Sequence, residues 1–203
     1  MYLSRLELDL KSPSVRQSLR NCQDMHRNIM KAFDVSRSAA QVLYRVVRTD
    51  QRIMVYVQSM AEPQWGRIAN HGYCCTGMRD ISALMEKFTA DTILHFSILA
   101  CPAKKVRGSG KNSRRVLLQM PEERLNWLKR QAERHGFVIV GAYEAAKEEQ
   151  ISGVKSSGKF VLSGIPFEGT LRITDSDAFR RNFANGIGAE KSYGFGLLMI
   201  GRV

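Results

Sequence analysis

Histidines and cysteines carry most of the chemistry that titrates near neutral pH, and here their spacing narrows what they can do. Cys22, Cys74, Cys75 and Cys101 contain no C-x-x-C pair. Adjacent Cys74 and Cys75 make a poor metal or disulfide couple, and His71 with Cys74 offers two ligands without a second pair. No metal site is expected, and the thiols read as free cytosolic ones. His71 and His95 read as packing or surface residues. His26 has two readings. A single helix running to Phe33 places Val15, Leu19, Cys22, His26, Ile29 and Phe33 on one stripe, with His26 buried in its middle. If Asn21 instead caps a new helix, the apolar face becomes Met25, Ile29, Ala32 and Phe33. His26 then lies at its edge near a helix N-terminus, which lowers a histidine pKa and welcomes phosphate. Periodicity alone leans towards the buried histidine.

A second stretch with chemical potential lies near the end of the chain: Asn185-Gly186-Ile187-Gly188-Ala189-Glu190-Lys191-Ser192-Tyr193-Gly194-Phe195-Gly196. It reads as a helix end and a glycine-rich loop before a buried strand at Leu197–Ile200. Glycines permit positive φ and close backbone approach, so such a loop can aim N–H groups at an anion. Lys191 adds charge and Tyr193 a stacking ring. The order fits neither the dinucleotide fingerprint nor a P-loop.

The elements that must position these residues follow from patterning. The 203 residues are 44% apolar, enough for one large core or two small ones. A net charge of +12, from 31 basic and 19 acidic residues, points to a polyanion. The start, Met1 to Leu10, alternates like a strand and carries acids, unlike a secretory signal, and no stretch is long and apolar enough for a bilayer. Nucleic acid is therefore the expected partner, in the cytoplasm, with no membrane. Residues 2–10 predict a strand, and Ser12-Pro13 a helix start. Residues 41–48 and 52–59 predict a hairpin, and Pro63 a short helix to Ala69. Residues 70–80 read as irregular, 81–90 as ambiguous, and 91–101 as a strand. This gives β-α-β-β-α-β, a ferredoxin-like unit over residues 1–101. Residues 102–114 form a basic loop or linker. Lys104, Lys105, Arg107, Lys111, Arg114 and the adjoining Arg115, with two glycines and no acid, mark it as a nucleic-acid loop. Residues 115–203 predict a second ferredoxin-like unit. Its first strand is 115–119, Pro121 opens a helix closed by Gly136, and 137–143 is a strand. Residues 144–157 read as a polar loop, 159–165 and 166–174 as successive strands, and Asp175 caps a helix before the glycine loop. The fold class expected is α+β, two tandem ferredoxin-like domains.

Several of these segments carry a resemblance. They are Met1-Tyr2-Leu3-Ser4, Met25-His26-Arg27, Ala100-Cys101-Pro102-Ala103-Lys104, Glu123-Arg124-Leu125-Asn126-Trp127-Leu128, Phe167-Glu168-Gly169-Thr170-Leu171, and Gly186 through Leu198. In that order and spacing the chain resembles the CasE family, CRISPR RNA-processing endoribonucleases of the type I-E Cascade complex. The resemblance implies metal-independent cleavage of precursor RNA at the repeat stem-loop. It implies attack by a 2′-hydroxyl, a 2′,3′-cyclic phosphate and a 5′-hydroxyl as products, a retained hairpin, no cofactor, and assembly with other Cascade subunits around a protein that is monomeric when isolated. It also implies His26 as the catalytic histidine, acting as base or acid. One departure stands out: some members carry a tyrosine three residues earlier, where this chain has Gln23, which cannot act as acid or base. Lys155 and Lys159, flanking Ser156-Ser157-Gly158, are candidates to neutralise the phosphate in the transition state. Arg27, Gly188, Lys191 and Ser192, with the basic loop, complete the expected RNA-binding set.

Overall fold

The computed structural model describes residues 1–69, 71–107 and 113–203. Lys111 lies outside the described residues, as do the side chains of Arg107 and Arg114. In chain order the elements are β1 (Tyr2–Leu8), α1 (Pro13–Arg20), α2 (Cys22–Met30), α3 (Arg37–Ala40), β2 (Leu43–Arg48), β3 (Ile53–Ser59), α4 (Gly66–Ala69), β4 (Cys74–Asp80) and α5 (Ser82–Glu86). Then come β5 (Ile93–Ala100), β6 (Ala103–Arg107), β7 (Ser113–Leu117), α6 (Pro121–Arg134), β8 (Phe137–Glu144), β9 (Glu149–Lys155), β10 (Gly158–Ile173), α7 (Ser176–Asn185) and β11 (Met199–Arg202).

Two antiparallel sheets carry the molecule, ordered β2-β3-β1-β4 and β11-β5-β10-β8. In each, the first and third strands lie at the centre, with the fourth beside the first and the second beside the third. This is the ferredoxin-like order, twice. The first sheet buries Leu6, Leu8, Val55 and Val57 against Val15, Met25 and Ile29 of α1 and α2. The second buries Phe96, Ile98, Phe167 and Leu171 against Trp127, Leu128 and Phe179 of α6 and α7.

The strand pairing corrects where the units divide. The strand at Ile93–Ala100 belongs to the second sheet, as its first strand, in register with β10 from Ile93↔Arg172 to Ala100↔Ile165. Its inward residues Phe96, Ile98 and Ala100 belong to the second core, so the unit boundary falls before β5 and not at residue 101. The fourth strand of the first unit is β4, expected to be irregular. Of its residues only Cys74 is buried, which left no alternation to read. Residues 115–119 are not the first strand of the second sheet. The backbone of β6 and β7 pairs into a separate antiparallel hairpin, from Ala103↔Leu117 to Arg107↔Ser113, inserted within the second unit.

Two further differences shape the site. The polar stretch after β8 contains β9, and residues expected as two strands form one 16-residue strand, β10. β10 pairs with β9 over its first half and with β5 and β8 over its second. Pro166 falls at this changeover, where a missing N–H is tolerated. Contacts between the units include specific polar ones. Gln58 donates to the carbonyl of Phe183 at 2.8 Å in a buried position, and Arg45 reaches Ser97 Oγ at 2.7 Å.

Candidate active site

Asn21 decides where the candidate catalytic histidine points. Its backbone is extended (φ −139°, ψ 106°), and its side-chain oxygen accepts from the amide of Gln23 at 3.1 Å. That N-cap breaks the helix and restarts it as α2. The leaning towards a single helix with a core histidine is therefore corrected: a cap overrode the periodicity. The same oxygen accepts from the amide of Val154, also at 3.1 Å, which fastens β9 to the start of α2.

On α2, Met25 and Ile29 face the core and His26 sits half-buried at the edge. Burial lowers its pKa below the ordinary value, and the nearby Arg37 guanidinium lowers it further. Its Nδ1 is buried and meets no hydrogen-bond partner among the described residues. Nε2 is then the nitrogen a substrate can reach. The edge of the ring faces Tyr193, with centroids 6.4 Å apart and planes at 65°.

Tyr193 ends a 3-10 turn, Lys191–Tyr193, inside the glycine-rich loop. Its hydroxyl donates to Gln23 Oε1 at 3.0 Å. Gln23 thus anchors the phenol that faces His26. Tyr193 also packs on Phe160, with centroids 5.5 Å apart. The Lys155 ammonium lies 5.1 Å from the centre of the Tyr193 ring and 4.7 Å from that of Phe160. Attraction to the Tyr193 hydroxyl raises the Lys155 pKa, so the ammonium stays charged. Of the two expected lysines, only Lys155 is brought to this cluster. Lys155 opposes Gly158 and Gly153 opposes Phe160, so these share one face of the hairpin. Lys159 pairs with Val154 on the other face.

Arg37 and Lys191 line a cavity of about 190 Å³ with Gln41 and Asn185. Lys191 donates to the carbonyl of Asn185 at 2.8 Å, and burial lowers its pKa. Next to it, Arg115, Trp127, Gln131, His135, Gly188 and Lys191 line a groove of about 390 Å³. Lys104 and Lys105 are exposed on β6. Arg27 is exposed and paired with Asp24 at 3.0 Å.

Two amides of the glycine loop serve the fold. Ile187 N–H donates to the carbonyl of Gly196, and Gly196 N–H to that of Leu99, at 2.9 and 2.8 Å. These amides are spent on the fold. Gly194 (φ +92°) lies where a Cβ would come within 3.3 Å of Tyr44, whose hydroxyl donates to the carbonyl of Ser192 at 2.9 Å. Gly188 packs on Trp127. The loop therefore fixes Tyr193 in place. Tyr193 reads from sequence only as a stacking ring, its position between glycines being the signal. Arg37 had no signal, because the short helix α3 was not foreseen.

Residues 1–202 match the family described as CRISPR associated protein. The chain is 29% identical over 215 residues to the CRISPR-associated endoribonuclease Cse3 of Thermus thermophilus, covering 98% of this chain and 99% of that one. It superposes with a TM-score of 0.88 and 25% identity on the CRISPR endoribonuclease Cse3 bound to 19 nt RNA, covering 99% of this chain and 100% of the other. The CRISPR-associated protein Cas6e from Escherichia coli K-12 shares the fold, with a TM-score of 0.76, 21% identity and full coverage of both chains.

Proposed function

Because the chain belongs to the family of CRISPR-associated proteins, we propose that it is an endoribonuclease cutting CRISPR precursor RNA at the repeat stem-loop. The observation that supports this most is the placement of His26, half-buried, with one open ring nitrogen, near Arg37 and against the Tyr193 ring that Lys155 overlies. Such a site suits a reaction in which the substrate brings its own nucleophile. The 2′-hydroxyl attacks the adjacent phosphorus, the P–O5′ bond breaks, and a 2′,3′-cyclic phosphate and a 5′-hydroxyl result.

Each group has a role in this scheme. A lowered pKa keeps His26 neutral near pH 7, the form that takes a proton, so His26 Nε2 removes the proton of the 2′-hydroxyl, and the departing 5′ oxygen takes up a proton from the imidazolium or from water to leave as the 5′-hydroxyl. Lys155 carries fixed positive charge toward the phosphate, whose negative charge grows in the transition state. Tyr193 and Gln23 hold Lys155 and the imidazole edge in place. The groove of Arg115, Gly188 and Lys191 takes the hairpin's phosphates, with Lys104, Lys105 and the β6–β7 hairpin on the stem. The product hairpin stays bound, and the protein works in the cytoplasm with the other subunits of a Cascade complex. No helix among the described residues is long and apolar enough to cross a membrane.

The test is direct. A repeat hairpin is incubated with the protein in EDTA, beside the same RNA carrying a 2′-deoxy sugar before the scissile phosphate. The ribose substrate is expected to be cut once and the deoxy substrate to bind uncut. Cutting of the deoxy substrate removes the mechanism. Binding without cutting of either RNA leaves a hairpin-holding subunit.

A further inference from the structure

We propose that the cleft between α1, the start of α2, β2 and β9 binds the nucleotide on the 3′ side of the scissile phosphate, its base between the strands and its 3′ phosphate on Arg20 and Arg48. This rests on the endoribonuclease reading and adds a subsite to it.

The cleft holds about 260 Å³. Pockets for drug-sized ligands run from roughly 300 to 1,000 Å³, so this one suits a single planar ring system. Its walls differ by strand. Alternation turns Tyr44, Val46 and Arg48 of β2 to one side, and Glu149 and Ile151 of β9 to the other. Val46 and Ile151 offer apolar faces to a base. Glu149 can accept from an exocyclic amino group, and Arg20 and Arg48 can donate to a carbonyl or a phosphate. Bases in single strands are held in this manner, splayed out and read at their edges.

Position selects the occupant. Arg115 and Lys191 share the stem-side groove, and Lys191 and Arg37 share the next cavity. Arg37 acts on His26, and His26 faces the Tyr193 ring. Tyr193 in turn lines the cleft. The concavities therefore run in series from stem groove through His26 to the cleft. A strand that leaves the stem and crosses His26 at the scissile phosphate reaches the cleft with its next nucleotide. The wall is continuous, since the face of β9 that presents Ile151 also presents Lys155.

Binding is measured with hairpins blocked by a 2′-deoxy sugar before the scissile phosphate, so that cutting does not enter. One RNA carries an intact nucleotide beyond that phosphate, one carries an abasic ribose there, and one stops at the phosphate. Removing the base is expected to weaken binding to the unmodified protein about tenfold, within the range for stacking one base. Ile151→Trp, which fills the cleft, is expected to erase the preference while keeping affinity for the RNA that stops at the phosphate. Arg20→Ala, at an exposed position, is expected to weaken the intact and abasic RNAs alike when each ends in a 3′ phosphate. Equal affinity for intact and abasic RNAs, or an unchanged preference in Ile151→Trp, overturns the subsite. Parallel cutting of the all-ribose hairpin reports separately on the endoribonuclease reading.

Discussion

At the scale of single residues, the site depends on how burial sets charge. His26 lies below the ordinary value of 6.5, with burial the main cause and Arg37 the second. As a base it acts in its neutral form. The pH profile of kcat/KM, which reports the free enzyme, should therefore rise with increasing pH through a midpoint below 6.5. A profile that falls with rising pH over that range would assign His26 the role of acid. The Tyr193 hydroxyl joins Gln23, and its ring underlies Lys155. Tyr193→Phe keeps the ring and removes only the hydroxyl, and should slow single-turnover cutting by less than His26→Ala while leaving hairpin affinity unchanged. An equal or larger loss would make the phenol a participant in proton transfer. The sequence made His26 a candidate but left its direction open, because periodicity has no term for an Asn21 cap. Tyr193 reaches the site from a segment remote in sequence and Arg37 from the helix that follows α2, a juxtaposition that the tertiary fold creates.

At the scale of elements, the glycine loop and the β6–β7 hairpin make different forecasts. Gly194 holds φ +92° beside Tyr44 and next to Tyr193. Gly194→Val should cost about 1–3 kcal/mol of stability through backbone strain and reduce cutting more than binding, read by thermal melting and single-turnover rates. Unaltered melting and cutting would mean that the loop does not set Tyr193. On the hairpin and groove, alanine at Lys104, Lys105 and Arg115 should weaken RNA binding and flatten its salt dependence by roughly 0.7–0.9 for each phosphate left without its cation. A slope that does not change would place the stem elsewhere. Strong elements were legible in the chain: Ser12-Pro13, Pro121 and Asp175 mark helices found within a residue or two. Weak ones were not. β4 and β9 are strands with few buried residues, held by their neighbours' backbone bonds more than by an apolar face.

At the scale of the whole molecule, two ferredoxin-like units build one surface. Helix α2 with His26 comes from the first, while Lys155, Tyr193 and Lys191 come from the second. The site exists only where the units meet, which is why Gln58, Arg45 and Tyr44 tie them together by hydrogen bonds. The duplicated class of fold could be read from element order, yet the division at residue 101 was misplaced, because a strand's partner is fixed by the core it faces and not by its sequence neighbours. The central claim is that His26 carries the chemistry and the rest of this surface carries the RNA. It is tested most directly by His26→Ala, with single-turnover cutting, hairpin affinity and melting temperature measured on the same protein. The account predicts unchanged folding and affinity with cutting slower by about 10²–10⁴-fold, the usual contribution of a positioned acid or base. Cutting near the unmodified rate by a folded His26→Ala protein would contradict it.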